Sequence, residues 1–252
     1  MKKIGILILA VTLWACNSTN IKTKTATETV AETPDQVFFK AIGTEPFWGV
    51  EISNNQIKYT TPEDPEGILF PGSKPVRVMD ANIKTYQSKS AAGEIKITIS
   101  YGKCSDGMSD MEHDYSVTVA LKKKGEKEFK DLRGCGNYIV DYRLHDIWVL
   151  EEMEGQKVTD ADFNKRPMME IKAKEASFSG TAGCNRMFGK LFSEQKLLRF
   201  TNIGTTRMAC DKMANESNFI KALESSTTYE IKNNRLYLSN PDALKLVFKK
   251  VD

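Results

Sequence analysis

Cysteine is the residue type in this chain with the widest scope for chemistry. Beyond Cys16, which lies near the start, the chain has four: Cys104, Cys135, Cys184 and Cys210. A cysteine nucleophile acts as a thiolate and needs a base nearby. The chain has two histidines, and one of them, His113, follows Cys104 closely enough in sequence for a dyad to be an alternative. The other, His145 in LHDIW, is predicted to be a hydrogen-bonded surface residue at the entrance to a strand.

A second candidate site is the acidic segment CSDGMSDMEHDY, which begins at Cys104. It gathers Asp106, Asp110, Glu112 and Asp114 around a glycine turn, and loops rich in oxygen ligands can hold calcium. The spacing does not match the alternating acids of an EF-hand loop. Asp side chains that cap the turn explain the same composition without an ion. The candidate metal ligands are Asp106, Asp110 and Glu112, and both interpretations stay open at this point.

Other catalytic motifs are missing from the sequence. It contains no G-x-S-x-G elbow, no phosphate-binding Walker loop and no dinucleotide fingerprint. Carboxylate pairs for acid–base catalysis are recognised in space and give no signal in a chain of ordinary charge density. We therefore predict no reaction and no cofactor, and expect a protein that is not an enzyme.

The first residues predict export and lipid attachment. Lys2 and Lys3 precede an apolar run that is too short for a resident membrane helix, and the segment ends in Leu-x-Ala-Cys at Cys16. This arrangement resembles a bacterial lipoprotein signal, which implies a signal peptide over residues 1–15 and acylation of Cys16. Residues 16–37 carry few large apolar side chains and are predicted to be a flexible tether. We expect an outer-membrane lipoprotein that faces the periplasm.

The charge balance argues against nucleic acid as a partner. The whole chain has a net charge of +3, but loss of residues 1–15 removes two lysines and leaves 34 basic against 33 acidic residues. Binding to nucleic acid depends on clustered cations that neutralise phosphates. The expected partners are therefore the membrane, through the lipid anchor, and an envelope protein or a small-molecule ligand.

The rest of the chain alternates between apolar and polar residues in the manner of antiparallel strands. In EIKITISY the residues Ile95, Ile97, Ile99 and Tyr101 share one face, and YSVTVAL repeats the pattern from Tyr115 to Leu121. YEIKNNRLYLSN reads as a hairpin with Asn233 and Asn234 at its tip. A single amphipathic helix is predicted over residues 215–227, with Asn215 or Ser217 as its N-cap.

These patterns predict a mainly β (α+β) protein with two small antiparallel β modules, over residues 38–142 and 143–252. The helix covers the second module. One polar face per sheet predicts that one side of each sheet is wet. Phe47 and Trp48 are predicted to seal the first core, and Met187 and Met208 to fill gaps beside the cysteines of the second.

The division into two modules also bears on how the cysteines pair. In an oxidising compartment four thiols allow three pairings. Two cysteines lie in each module, which favours Cys104–Cys135 and Cys184–Cys210. Each such loop contributes about 3.5 kcal/mol by chain entropy. Oxidised cysteines would not serve as nucleophiles.

The C-terminal half is similar to the META domain, the HslJ-like family, over most of residues 144–252. The similarity rests on Trp148 in a leading strand and on the segments FSGTAGCNRMFG, TTRMAC, FIKALESSTTYEI and LYLSN. The motif positions carried over are Gly183, Cys184, Asn185, Thr206, Met208, Ala209 and Cys210. The resemblance implies a small, mostly β envelope domain linked to stress tolerance, and it brings no known reaction or ligand.

The N-terminal half looks like a second envelope module found in lipoproteins, through GTEPFW, CSDGMSD and RGCG. The main expectation is a non-enzymatic envelope lipoprotein with a binding or stress-tolerance role. Two alternatives remain, which are a metal-binding protein and an inhibitor of a cell-wall-degrading enzyme such as lysozyme. In the inhibitor, an exposed loop would enter an acidic cleft, and the candidate binding residues are Asn185, Arg186, Thr206 and Arg207.

Overall fold

The computed structural model describes residues 35–108 and 112–251. The predicted signal peptide, the acylation site Cys16 and most of the predicted tether lie outside these residues, and so does Asp110. Asp35, at the end of the predicted tether, accepts hydrogen bonds from the Ser53 hydroxyl at 2.6 Å and from the Asn55 amide at 3.2 Å. The folded part therefore begins a few residues before position 38. Within the described ranges, no helix is long and apolar enough to cross a membrane.

Residues 39–138 form one antiparallel sheet of nine strands. The strands are β1 (Phe39–Thr44), β2 (Phe47–Ile52), β3 (Gln56–Thr61), β4 (Asp64–Pro71), β5 (Val76–Arg77), β6 (Ile83–Ser90), β7 (Gly93–Ser105), β8 (Glu112–Lys123) and β9 (Lys130–Tyr138). Their order is β4-β3-β2-β1-β9-β8-β7-β6-β5. The Ser88 hydroxyl on β6 donates to the Pro71 carbonyl on β4 at 2.7 Å. The sheet therefore curls and brings β4 and β6 together, although these two strands do not pair with each other.

The alternation predicted for β7 and β8 is confirmed along most of their length. Ile95, Ile97 and Ile99 are buried, as are the four inward residues from Tyr115 to Leu121. Tyr101 is the exception, because its side chain is 58% exposed. The pairing of β7 with β8 shifts between Tyr101 and Cys104, and this bulge ends the regular alternation.

Residues 146–251 form a second antiparallel sheet of nine strands. The strands are β10 (Asp146–Met153), β11 (Gln156–Lys157), β12 (Met168–Lys172), β13 (Ser177–Thr181), β14 (Arg186–Glu194), β15 (Leu197–Thr205), β16 (Thr228–Lys232), β17 (Arg235–Ser239) and β18 (Leu244–Val251). The first and last long strands, β10 and β18, also pair with each other. This pairing closes the sheet into a barrel. The alternation in the sequence had predicted only a sheet with one face exposed to solvent.

One α-helix lies in the described residues, α1 (Met213–Ser225), close to its predicted position. The predicted N-cap is wrong: the cap is Lys212, without a side-chain bond to the helix. The helix begins at Met213, so Asn215 and Ser217 both lie inside it, and the Asn215 side-chain amide donates to the Asp162 carbonyl at 2.7 Å. The helix therefore starts two residues earlier than predicted, without a side-chain cap.

Helix α1 completes the core of the barrel. β15 and β16 pair only at Leu197 and Thr228, which leaves most of β15 without a partner on that side. Three apolar residues of the helix, Phe219, Ala222 and Leu223, are buried in the core that the barrel encloses. The Phe219 ring contacts the Phe248 ring of β18, with centroids 6.1 Å apart. The predicted helix thus packs on the sheet through its apolar stripe.

The predicted hairpin of β16 and β17 is confirmed. Asn233 and Asn234 have φ angles of 52° and 56°, and both form the two-residue turn. Asparagine tolerates this left-handed region better than most residues, and paired positive φ angles match the twist of the two strands.

The two sheets enclose separate cores and belong to one compact unit. Residues 139–145 connect them, with a short 3₁₀ turn at Tyr142–Leu144. The protein is therefore mainly β, with two antiparallel sheets and one described helix. Independent folding of the two halves as modules stays a prediction.

Candidate functional site

The cysteines of the described residues lie in two separate pairs. Cys104 lies at disulfide distance from Cys135, with Cα atoms 5.6 Å apart, and Cys184 lies so with Cys210, with Cα atoms 6.4 Å apart. Each pair stays within one sheet region, which is the predicted pairing. The segments around Cys184 and Cys210 are thus two ends of one bridge and do not form the two halves of a thiol site.

His113 lies where a Cys104–His113 dyad would need it, directly opposite Cys104 across β7 and β8. Its Nδ1 atom is 3.0 Å from the Asn137 side-chain amide, and the residue is buried. Because Cys104 is bonded to Cys135, the dyad lacks its thiol. The exposed His145 precedes β10, in agreement with its predicted surface position.

The acidic segment after Cys104 forms bonds within the protein. The Asp106 carboxylate accepts from the Met108 amide at 3.0 Å, which is the predicted Asx turn. Glu112 pairs with Lys103 at 2.7 Å. Asp110, the remaining candidate ligand, lies outside the described residues. Within residues 35–108 and 112–251, no group of three His, Cys, Asp or Glu residues is placed to hold a metal ion.

The motif residues of the C-terminal half converge on one buried carboxylate. Glu216, in the first turn of α1, accepts from the backbone amides of Cys184 at 2.7 Å and Asn185 at 2.9 Å. It also accepts from the Asn185 side-chain amide at 2.7 Å. The Asn185 side-chain oxygen in turn accepts from the Met208 amide at 2.7 Å and from the Thr206 hydroxyl at 2.9 Å. This network joins the turn before β14, the segment after β15 and the helix.

The network gives Asn185 and Thr206 a structural role. Asn185 is 1% exposed, and its oxygen and its nitrogen are both bonded inside the protein. Burial acts to raise the pKa of Glu216, but the bonds from Asn185 and Cys184 outweigh it and lower the pKa. No sequence pattern singles out Glu216, because its partners lie at least 31 positions away in the chain and an acid in the first turn of a helix is ordinary.

The side chains on the outer face of β14, which we call the outward row, connect the C-terminal sheet to the N-terminal sheet. Alternate residues from Arg186 to Glu194 face outward along this strand. Near its end, the Phe192 ring contacts the Tyr101 ring of β7, with centroids 6.1 Å apart. Glu194 then accepts from the Tyr115 hydroxyl at 2.5 Å and from the Asn82 side chain at 2.7 Å, and it pairs with the ammonium of Lys84. The second half of the row is therefore covered by the N-terminal sheet.

The first half of the row is exposed and positively charged. Phe188 is 58% exposed, and its ring lies over Gly204 of β15, where a Cβ atom would come within 2.6 Å of the ring. We use the name cationic face for Phe188 and its neighbours. Its members are Arg186, Phe188, Lys190, Arg207 and Met208, all exposed.

The three cations of the cationic face have no acidic partner within the described ranges. Arg207 is held beside Arg186 because the Thr206 amide donates to the Arg186 carbonyl at 3.0 Å. Met187 is buried as predicted, but Met208 is 53% exposed and does not fill a gap beside the disulfide. Its backbone is drawn to Asn185, which leaves its side chain outside.

The three signature segments of the N-terminal half meet at one end of its sheet. Trp48 of GTEPFW is buried, and its indole lies over Gly43 and over Gly134 of RGCG. The Thr44 hydroxyl donates to the Asp106 carbonyl of the third segment at 3.4 Å. Trp48 seals the core as predicted, but Phe47 is 55% exposed because it points to the opposite face of β2.

Comparison with known proteins adds one family. Residues 140–252 match the model of the META domain, as the resemblance in the sequence predicted. One solved NMR structure matches at 24% identity and a TM-score of 0.35, over 42% of this chain and 90% of its own. A second NMR structure, of a protein from Burkholderia xenovorans, matches at 25% identity and a TM-score of 0.36, over 43% and 85%. No curated protein matches the chain.

Proposed function

We propose that this chain is a non-enzymatic, lipid-anchored binding protein of the bacterial envelope, and that it binds a protein partner through the cationic face. The observation that carries the proposal is the exposed Phe188 ring surrounded by three cations without acidic partners in the described residues. Aromatic residues, including phenylalanine, and arginines are enriched in protein interfaces relative to the rest of the surface.

The positive charge of the cationic face favours a partner with an acidic surface. Cations that are unpaired in the free protein lose no internal ion pair when they meet carboxylates, and complementary charge speeds association. One acid, Glu170 on β12, bounds the face: Glu170 lies opposite Ser179, which in turn lies opposite Phe188. The partner surface would therefore carry carboxylates for Arg186, Lys190 and Arg207 around an apolar site for the Phe188 ring.

The residues behind the face favour binding over catalysis. The bridge between Cys184 and Cys210 and the Asn185–Glu216 network fix the two segments that carry Arg186 and Arg207. A surface that is rigid before binding loses less entropy when a partner docks. Cysteine, asparagine and glutamate at this place thus act as support, and the side chains left for a partner are cationic and apolar.

The envelope location rests on two features. The Leu-x-Ala-Cys segment that ends at Cys16 implies acylation and anchoring to the membrane, and we place the protein at the outer membrane, facing the periplasm. The META match over residues 140–252 supports the same compartment and a role in stress tolerance. A tethered binding protein would meet its partners at high effective concentration.

Site-specific photocrosslinking in bacterial cells tests the proposal. A photoreactive phenylalanine analogue at position 188 should give a discrete adduct with an acidic envelope protein. The matched control is the analogue at Lys249, which is exposed on β18 of the same barrel and should give none. Arg186→Glu should remove the adduct at position 188. Equal adducts from both positions, or none from position 188, would contradict the proposed binding face.

The second candidate function is inhibition of a cell-wall-degrading enzyme. Arg186 and Arg207 favour it, because both are exposed on segments braced by one disulfide, a suitable form for a loop that enters an acidic cleft. An assay against several types of lysozyme tests it. Inhibition that Arg207→Glu abolishes supports this candidate, and normal lysozyme activity at micromolar protein concentrations rules it out.

A further inference from the structure

We infer that a cavity where the two sheets meet binds a small hydroxylated carboxylate, of the sugar-acid class. The cavity has a volume of about 280 Å³ and is lined by residues from both sheets and from their connection. This volume is near the lower end for small-molecule pockets and suits a single substituted ring. The site is separate from the cationic face and does not depend on it.

The cavity is built on one buried carboxylate. Asp141 is 5% exposed and lies in the segment that connects the sheets. It accepts from the Arg143 guanidinium through Nε at 3.0 Å and Nη2 at 2.6 Å, and from the Tyr229 hydroxyl at 3.0 Å. Burial acts to raise the pKa of Asp141, but the bonds from Arg143 outweigh it, so the pKa is lowered and the carboxylate is charged at neutral pH.

These bonds fix Arg143 and Tyr229 in position. With both Asp141 oxygens engaged, the carboxylate serves as a support and not as a ligand contact. Arg143 keeps its Nη1 outside the pair and is 37% exposed, so one edge of the guanidinium remains available to a ligand. A fixed guanidinium edge is well suited to a carboxylate, because its parallel N–H groups match the two oxygens.

Three further polar side chains line the cavity without hydrogen bonds to other described residues. They are the amides of Asn54 and Gln195 and the ammonium of Lys196. Gln195 and Lys196 form the turn between β14 and β15, where Gln195 has a φ of 59°. Asn54 also lines the cavity and belongs to the N-terminal half, in the turn after β2. Both halves of the protein therefore contribute free donors and acceptors.

The charges and the apolar lining select the ligand class. Two cations, Arg143 and Lys196, face one carboxylate that is already paired, so the cavity has an excess of one positive charge that suits one acid group. Side-chain amides bind hydroxyls as donors and acceptors at once. Phe38 and Tyr142 supply apolar surface for the C–H face of a ring. An acid group, several hydroxyls and an apolar face occur together in sugar acids.

Titration of isotope-labelled protein by NMR tests the inference, with glucuronate, glucose and acetate as probes. We expect glucuronate to shift the amides of residues 54, 141–143, 195 and 196 saturably, and to bind at least tenfold more tightly than glucose or acetate. Lys196→Met should weaken glucuronate binding about tenfold. Lys249→Met, an equal loss of charge at an exposed residue of β18 that does not line the cavity, should leave it unchanged.

The remaining outcomes overturn the inference. They are no saturable shift with glucuronate, equal affinity for acetate, or equal binding by the Lys196→Met and Lys249→Met variants. Gln195→Ala supplies a second variant that keeps the charge and should also weaken binding. Arg186→Glu, which tests the cationic face, should leave glucuronate binding intact, so failure of one proposal is distinguishable from failure of the other.

Discussion

The Tyr115 hydroxyl of the N-terminal sheet donates to the Glu194 carboxylate of the C-terminal barrel at 2.5 Å. Lys84 pairs with the same carboxylate, and both charged side chains are less than a tenth exposed. Burial acts to raise the pKa of Glu194, but the bonds from Lys84 and Tyr115 outweigh it and lower the pKa. A single glutamate at the end of β14 thus joins the two halves of the protein through charge as well as hydrogen bonds.

Loss of this glutamate should weaken the junction. Glu194→Gln leaves the Lys84 ammonium buried without a counter-charge, and removal of one partner of a buried pair costs on the order of 3 kcal/mol. Chemical denaturation should show this loss in the free energy of unfolding. The double variant Lys84→Met, Glu194→Met should lose less than Glu194→Gln, because it leaves no buried charge. If Glu194→Gln unfolds like the unaltered protein, the ion pair does not stabilise the junction.

Acid should destabilise the fold through the carboxylates of Glu194 and Glu216, alongside Asp141, whose pKa is also lowered. The pKa values of Glu194 and Glu216 are lowered below the ordinary 4.5. Their contribution is complete at pH values above 4.5 and is lost as the pH falls through the lowered folded-state pKa values. Unfolding free energies measured from neutral to acid pH should show this fall. Glu216→Gln should be less stable at neutral pH and should show a flatter profile, and a profile as steep as that of the unaltered protein would contradict the role of Glu216.

Trp48 should couple energetically to Gly43. A Cβ atom at Gly43 would overlap the Trp48 indole, and overpacking of this kind costs about 1–3 kcal/mol. Gly43→Ala should therefore lower the stability measured by thermal unfolding. In a Trp48→Phe background the clash with the indole is relieved and only the contact with the Arg133 carbonyl, at 2.8 Å, remains, so the same alanine should cost less. Equal losses in the two backgrounds would show that the indole does not determine the need for glycine.

Loss of the disulfide between Cys184 and Cys210 should destabilise the C-terminal barrel. Cys184 and Cys210 are 26 positions apart, and a loop of this length contributes about 3.5 kcal/mol by chain entropy. The double variant Cys184→Ser, Cys210→Ser should lose a free energy of that order, measured by urea denaturation. A reductant should lower the stability of the unaltered protein, which loses both disulfides, by more than it lowers that of this variant, which has only the Cys104–Cys135 disulfide to lose.

Local sequence patterns predicted the elements of this fold well. Alternation located β7, β8 and the hairpin at Asn233 and Asn234, because side-chain period and turn chemistry are properties of neighbouring residues. The grouping of two cysteines in each half predicted the pairing. The closure of the barrel by β10 and β18 was not predictable, because it depends on how the first and last strands of the half meet.

The candidate sites were predicted in part. The segments around the cysteines predicted Arg186 and Arg207 as binding residues in exposed loops, and both side chains are exposed. Phe188 was missed, although the alternation of Arg186, Phe188 and Lys190 with the buried Met187 placed it on the outer face of β14. Glu194 and Glu216 have no comparable signal, because each gains its role from partners distant in sequence. Charged residues on a β-strand or helix are ordinarily solvated, and only tertiary contacts distinguish these two.

The proposal that this chain is a binding protein, and not a thiol enzyme, depends most directly on the state of its cysteines. Peptide mass mapping of the mature, unreduced protein measures that state. We predict an acylated Cys16, the linkages Cys104–Cys135 and Cys184–Cys210, and no free thiol. A free thiol at Cys104 opposite His113, or a linkage between the two halves, would contradict it.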